Sequence, residues 1–314
     1  KGNLFYPLRL AGFFRQKKPD IVHAHGWGQG SFYAVLGARA GSVPIVINGE
    51  HGAFFVKKYQ IFMQKIIALL SDIIFSVSES LKKEIIKTLS ISAKRIKVIN
   101  NGVDTKIFTG SYNVSGLKEE LRKHFDFEVN ANSFVVGSIG SLKPQKNQIM
   151  LLRAVKELEK RSPNRPIKVI FVGDGPDRPM LEKYISDNNM KKQVVFLGEW
   201  NNVAQLLSLF DILVSTSMGR HEGLSNVILE AMSSALPVIA TKSVGASELI
   251  SEGSNGFLLS CEDISSLAQR IEILASNPSL LREMGLNAQK NIYRNYSVDK
   301  MVASYEEFYL DLFN

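Results

Sequence analysis

A single cysteine, Cys261, in 314 residues excludes an internal disulfide framework, and a reducing compartment such as the cytoplasm is the simplest home for the chain. No apolar run approaches the roughly 20 residues that a membrane helix needs. No Asp-x-Asp triplet occurs, and no third ligand accompanies the one His-x-His pair, so no metal site is expected. There is no short-period repeat, no low-complexity tract and no recognised nucleic-acid module. The chain opens Lys1-Gly-Asn-Leu with neither Met nor a signal-peptide pattern, and a preceding segment is expected.

What is present suits a globular protein: 45% hydrophobic and 22% charged residues, in a chain long enough for two domains. The net charge of +8 is unevenly placed. Residues 1–108 hold 16 Lys and Arg against 6 Asp and Glu, a balance of +10, which leaves 22 against 24, or −2, for the remainder. A basic half points to an anionic partner. The stretch Phe54 to Leu70 mixes lysines with large apolar groups at helical spacing, as helices lying on an anionic membrane do; the plainer alternative is a core-packed amphipathic helix.

Short apolar runs alternate with amphipathic segments throughout. Strands are expected at Asp20–Ala24, Pro44–Asn48, Asp72–Val77 and Ile96–Asn100, with helices centred near residues 12, 34, 63 and 84. A second series runs Phe134–Gly140, Ile167–Gly173, Val194–Gly198, Ile212–Thr216, Pro237–Thr241 and Gly256–Leu259. Continuous apolar strands alternating with helices predict an α/β protein with parallel sheets covered on both faces. Two Rossmann-like domains are expected, residues 1–108 and 109–296, joined through the polar stretch Thr105 to Gly116. Ligands of such domains bind beyond the carboxyl ends of the strands, here in a cleft between the two sheets. Residues 297–314 form a last helix with one apolar face: Met301, Tyr305, Phe308, Tyr309 and Leu312.

The most informative segment is Glu222-Gly-Leu-Ser-Asn-Val-Ile-Leu-Glu230. It joins a buried strand to a helix expected over Val227 to Ser234, with Ser225 or Asn226 as N-cap and Glu230 in the first turn. Amides of Gly223, Leu224, Ser225 and Asn226 at a positive helix end offer a seat for phosphate. Glu230 suits a pair of vicinal hydroxyls and Glu222 a second polyol, although glutamates near a helix start also simply favour its dipole. Other strand ends carry related chemistry. His23-Ala-His25 can donate to a sugar hydroxyl or phosphoryl oxygen, and Asn48-Gly-Glu50-His51-Gly52 ends the next strand. Gly140-Ser141-Leu-Lys-Pro-Gln-Lys146 supplies a point cation at Lys146. Gly173-Asp-Gly175 allows close backbone approach, but Arg178 occupies the third glycine position of a dinucleotide fingerprint.

Taken in order, Val22-His-Ala-His25, Asn101-Gly-Val-Asp104, Gly140 to Lys146, Val172-Gly-Asp-Gly-Pro176, Phe196-Leu-Gly198, the Glu222/Glu230 motif, Ala235-Leu-Pro-Val-Ile-Ala-Thr241 and Asn255-Gly-Phe-Leu258 resemble the retaining glycosyltransferases of family 4, of bacterial exopolysaccharide and lipopolysaccharide type. The resemblance implies the GT-B fold, a UDP-, GDP- or ADP-sugar donor, a glycan or lipid-linked acceptor and no metal in the chemistry; the expected peripheral contact with an anionic membrane rests on the basic first half. It implies that Glu230 binds the donor ribose and that Glu222 with the Gly223–Asn226 backbone holds sugar and phosphates. By the same resemblance Gly140 and Ser141 belong to the phosphate loop, Lys146 stabilises the departing diphosphate, and His25 contacts the donor sugar. Gly173 adjoins the donor and Glu199 or Trp200 the base. The implied mechanism is front-face attack, the leaving phosphate accepting the proton. The last helix is implied to pack back on the first domain. Two departures stand out: Ser141 replaces the family's usual Arg, with Lys143 as a nearby substitute, and nothing in Lys1 to Pro19 supplies the family's opening strand and glycine-rich loop. A nucleotide-sugar-binding protein without transferase activity is the alternative. An oxidoreductase rests only on Gly173 and Gly175.

Overall fold

The computed structural model describes residues 5–50, 52, 58–159, 161, 166–218 and 223–313. It divides into two units, residues 1–101 with 220–224 and residues 102–219 with 225–314. Each is a parallel sheet with intervening helices.

The first unit runs α1 (Tyr6–Lys17), β1 (Ile21–His25), α2 (Gln29–Ala40), β2 (Ile45–Glu50), α3 (Lys58–Leu70), β3 (Ile73–Ser76), α4 (Glu79–Leu89) and β4 (Ile96–Val98), and its strands pair in chain order. Val46, Ile47, Ile74 and Phe75 are buried, as continuous apolar strands under helices must be. β2 continues through Glu50, two residues past the expected end at Asn48, and both polar side chains are buried there. His51 and residues 54–57 of the expected amphipathic helix lie outside the described residues. Within α3, Gln64, Ile67 and Ala68 turn inward while Tyr59, Phe62 and Leu69 are exposed. α1 lies close against α2 because Gly37 leaves room; a Cβ there would overlap Leu10.

The second unit runs α5 (Ser115–Phe125), β5 (Phe134–Ile139), α6 (Gln148–Glu159), β6 (Ile167–Val172), α7 (Arg178–Asp187), β7 (Val194–Phe196), α8 (Val203–Leu207), β8 (Ile212–Ser215), α9 (Asn226–Ser233), β9 (Val238–Thr241), α10 (Ala246–Leu249), β10 (Gly256–Leu259), α11 (Ile264–Ser276), α12 (Pro278–Asn295) and α13 (Val298–Asp311). Its strand order is β10-β9-β8-β5-β6-β7, so the winding reverses between β8 and β5. Phe134, Val136, Leu151, Val155, Phe171, Ile212, Ile239 and Ile271 belong to one continuous core around this sheet.

Both sheets use the same device at a strand entrance. Asp72, just before β3, accepts the Val46 N–H at 2.7 Å and donates its own N–H to the Val46 carbonyl at 2.7 Å. Asp211, just before β8, does the same to Val135, at 2.7 and 2.8 Å. A carboxylate thus pairs a backbone donor at the mouth of each sheet, where the ladder has not yet begun.

The stretch expected to join the two series is tied to the second unit. The Val103 N–H donates to the Tyr296 carbonyl and the Val298 N–H to the Val103 carbonyl, both at 2.9 Å. Ser233 Oγ donates to the Phe108 carbonyl and Gln205 Nε2 to that of Asn113. The division consequently falls at Asn101/Gly102, seven residues ahead of the expected 108/109, and α13 groups with the second unit. Among the described residues no helix is long and apolar enough to cross a membrane.

In β5, Gly137 lies under the Phe210 ring, which a Cβ would penetrate. Gly137→Ala is expected to destabilise the second unit by about 1–3 kcal/mol through overpacking, read as a lower urea midpoint. Gly116→Ala, with open space around it in α5, is the control and leaves the midpoint unchanged or slightly raised.

Candidate functional site

The reversal between β5 and β8 is where an open parallel sheet leaves a crevice beyond its carboxyl ends. From β5 the chain passes through Gly140 (φ 145°), Ser141, the buried Leu142 and a turn at Pro144–Lys146. Asn147 then adopts a left-handed conformation (φ 48°) and α6 begins. The Lys146 side chain folds back over Gly140, so that a Cβ built there would meet its Cε at 3.8 Å and its Nζ at 3.9 Å. The loop after β8 holds this turn from the other side. Thr216 Oγ1 donates to the Lys146 carbonyl and the Met218 N–H to the Gln145 carbonyl, each at 2.7 Å. Gln148 Nε2 donates to the Ser141 carbonyl at 3.0 Å. Burial, and secondarily the charge of Lys143, pushes the Lys146 ammonium below its usual pKa. A partly buried cation on a fixed loop favours an anion at the mouth of the sheet.

Gly173 and Gly175 have a reason internal to the protein. A Cβ on Gly173 would strike the Gly140 carbonyl, and one on Gly175 the Leu142 carbonyl. The Gly140 N–H donates to the Val172 carbonyl at 2.9 Å and the Gly173 N–H to that of Gly198 at 2.7 Å. The glycines therefore bring successive strand-end loops into register, whereas the sequence pattern was read only as an approach for a ligand. Asp174 accepts from the Gly175 N–H and from Arg178, which hold its carboxyl below the usual range. Beyond β7, Glu199 is exposed and Trp200 half-buried.

α9 starts at Asn226, one residue earlier than expected, so Glu230 is its fifth residue and lies beyond the first turn. Ser225 takes the cap position with extended backbone, but its side chain makes no capping hydrogen bond. The amides of the first turn thus lack the usual side-chain cap, which suits an exogenous anion. Glu230 faces a cavity of about 130 Å³ lined with Gly102, Val103, Asp104, Phe108, Asn226 and Leu229. Burial pushes its carboxyl up to about 7. Gly223 and Leu224 group with the first unit, where Asn101 Nδ2 donates to the Leu224 carbonyl at 3.3 Å. Glu222 lies outside the described residues.

In the first unit, His23 and His25 project to the same side of β1 and their rings stack with centroids 4.2 Å apart; His23 stacks in turn on Phe75 at 5.0 Å. Gly49 on β2 makes this possible, because a Cβ there would press on both imidazoles. His25 is exposed at the strand's carboxyl end. Among the described residues no group of three or more His, Cys, Asp and Glu is placed to hold a metal.

Three participants escaped the sequence reading. Thr216 and Gln148 act through backbone carbonyls, which no side-chain motif reveals. Asn101-Gly-Val-Asp104 was legible as a motif without a role. Gly102 is required because Val298 and Ser297 pack against its Cα, and that packing sets the wall of the Glu230 cavity.

Residues 119–291 match the family model described as glycosyl transferases group 1, and residues 1–107 that of glycosyltransferase family 4. The chain belongs to the group 1 glycosyltransferases. A curated relative is the Escherichia coli UDP-Gal:alpha-D-GlcNAc-diphosphoundecaprenol alpha-1,3-galactosyltransferase, 29% identical over 313 residues, covering 97% of this chain and 79% of the relative. Among solved structures, a Rickettsia africae glycosyltransferase superposes with a TM-score of 0.86 at 20% identity, over 100% of this chain and 83% of the other. Anabaena HepE in complex with UDP-glucose gives 0.82 at 24%, over 97% and 82%. The architecture of this glycosyltransferase is GT-B.

The raised carboxyl of Glu230 carries a stability consequence. A group that binds its proton more tightly in the folded state than the usual 4.5 costs native stability as pH rises from about 4.5 to about 7, and no more above that. Glu230→Gln removes the titration, so its melting temperature, relative to the unaltered protein, should be higher at pH 8 than at pH 5. Parallel melting curves for the two proteins from pH 5 to 8 would contradict the burial of this carboxyl.

Proposed function

We propose that this glycosyltransferase moves a sugar from a nucleotide-sugar to a glycan or lipid-linked acceptor in cell-surface polysaccharide synthesis, with retained anomeric configuration and without a metal ion. The observation that carries the reading is the pairing, within one unit, of a cationic loop at the sheet's switch point with a carboxyl-lined cavity on α9. Lys146 neutralises the diphosphate as it departs. The Ser225 and Asn226 end of α9, with Gly223, Leu224 and Glu222, holds phosphates and sugar. Glu230 accepts the ribose hydroxyls, Gly140, Ser141 and Gly173 shape the diphosphate seat, Glu199 and Trp200 adjoin the base, and His25 contacts the sugar. The acceptor oxygen bonds to the anomeric carbon as the bond to phosphate breaks, and the leaving phosphate oxygen takes the acceptor proton. The first unit serves the acceptor and the second the donor.

The name of the E. coli relative and the ligand of the HepE structure make UDP-sugars the first donors to test. A thermal-shift screen of UDP-, GDP- and ADP-sugars selects the donor, and radiolabelled transfer to a lipid-linked acceptor in EDTA, with the product linkage read by NMR, tests the reaction. Donor binding with neither transfer nor hydrolysis would leave a binding protein only. Glu230→Ala should weaken the selected nucleotide by about 1–3 kcal/mol in calorimetry. The unaltered protein should bind more tightly at pH 8 than at pH 6, because hydroxyls donate better to the ionised carboxylate.

The basic first half, with Leu8 and Phe13 of α1 and Tyr59 and Phe62 of α3 exposed among lysines and arginines, supports a peripheral seat on the cytoplasmic face of the membrane. Co-sedimentation with phosphatidylglycerol vesicles, weakened by salt and absent with phosphatidylcholine alone, is the expected result; equal recovery with both lipids would contradict the electrostatic part.

A further inference from the structure

Resting on the reading of Lys146 as the cation of the diphosphate seat, we propose that Thr241, at the carboxyl end of β9, is a positioning residue for Lys146, acting through hydrogen-bonded peptide groups that run across three strand ends. Thr241 is the last residue of β9 and is only 2% exposed. Its Oγ1 donates to the Ser217 carbonyl at 2.5 Å. The N–H of that same peptide group, belonging to Met218, donates to the Gln145 carbonyl at 2.7 Å. The Lys146 N–H shares a peptide group with the Gln145 carbonyl and donates in turn to the Lys143 carbonyl at 2.8 Å. One line of hydrogen bonds therefore runs from the β9 hydroxyl, through the loop after β8, to the backbone of Lys146 after β5.

Each peptide group in the line accepts at its oxygen and donates at its nitrogen, so each bond polarises and strengthens the next. Thr216, the neighbour of Ser217, adds a bond from its Oγ1 to the Lys146 carbonyl. Both peptide groups that flank the Lys146 Cα are thus gripped from residues 216–218, and those residues need a hold of their own. Their strand no longer supplies it: β8 ends at Ser215, whose pairing with Ala240 is the last register between β8 and β9. The Thr241 hydroxyl carries the contact one step past the ladder. Thr241 and Ser217 are both buried, so water has no access to replace the bond, and its loss removes the partner of the Ser217 carbonyl. A peptide group released in this way loosens its grip on Gln145 and lets the Lys146 ammonium drift from the place where charge on the departing phosphate develops.

Calorimetry on the full chain tests this with two probes: the nucleoside diphosphate selected by the thermal-shift screen, and its bare nucleoside, which carries no charge for Lys146 to meet. Thr241→Val keeps the β-branched shape and removes the donor; it should weaken the diphosphate about fivefold and leave the nucleoside unchanged. Thr241→Ser, which keeps the hydroxyl, should recover the diphosphate affinity. Combined with Lys146→Met, Thr241→Val should cost nothing further, because the group it positions is gone. Equal losses for both probes, or a loss that adds in full to that of Lys146→Met, make Thr241 a support of the fold alone and overturn the proposal. Unchanged diphosphate affinity in Thr241→Val, alongside a loss in Lys146→Met, also overturns it and leaves the seat intact. Unchanged affinity in Lys146→Met removes the seat itself, and the proposal with it.

Discussion

The second unit depends on a few backbone carbonyls at the carboxyl end of its sheet. Lys146 can be held in a partly buried position only because its own carbonyl and that of Gln145 are taken by Thr216 and the Met218 N–H from the loop across the switch point. A lysine on an unbraced loop would extend into water, where its charge is better solvated. Cross-loop hydrogen bonds thus turn a flexible cation into a fixed one. The geometry follows from topology: β5 and β8 are neighbours in space although two strands and three helices separate them in sequence. Parallel winding delivers both loops to the same edge without any local sequence signal.

The strand-leading aspartates solve the complementary problem at the opposite edge. Where the strands enter, a backbone N–H on the neighbouring strand precedes the ladder, and Asp72 and Asp211 each supply a carboxylate oxygen to it. Both occur in the local pattern Asp-Ile-Ile or Asp-Ile-Leu, a polar residue at the threshold of an apolar run. In the first unit Asp72 also takes Arg39 from the end of α2, at 2.6 Å, tying helix, strand and carboxylate together.

Much of this architecture was legible in the sequence because parallel strands buried on both faces must be uninterrupted apolar runs, and these stand out between amphipathic helices. Every expected strand segment overlaps a strand in the structure, and the four helices expected in the first half fall at α1 to α4. The failures are local and have a common cause. β2 runs through Asn48 and Glu50 because a ladder partner on β3 extends alongside, which polarity alone cannot reveal. Glu230 sits one residue deeper in α9 because the helix recruits Asn226 as its first residue, and Ser225 occupies the cap position without its hydroxyl closing the first turn. The stretch after Asn101 looked like a linker because it is polar, yet its backbone is bonded to the start of α13 nearly two hundred residues away. For the site, residue types were readable and their support was not: side chains that act on carbonyls, such as Thr216 and Gln148, leave no motif.

The contact between Gly140 and Gly173 leaves no clearance for even one methyl group, and that between Leu142 and Gly175 is equally tight. These two loops therefore leave little room for substitution: randomising either would be punished by its neighbour before any new property was sampled. Glu199 and Trp200 lie outside that lock, one exposed and the other half-open, so a substitution at either leaves both tight contacts between the loops untouched.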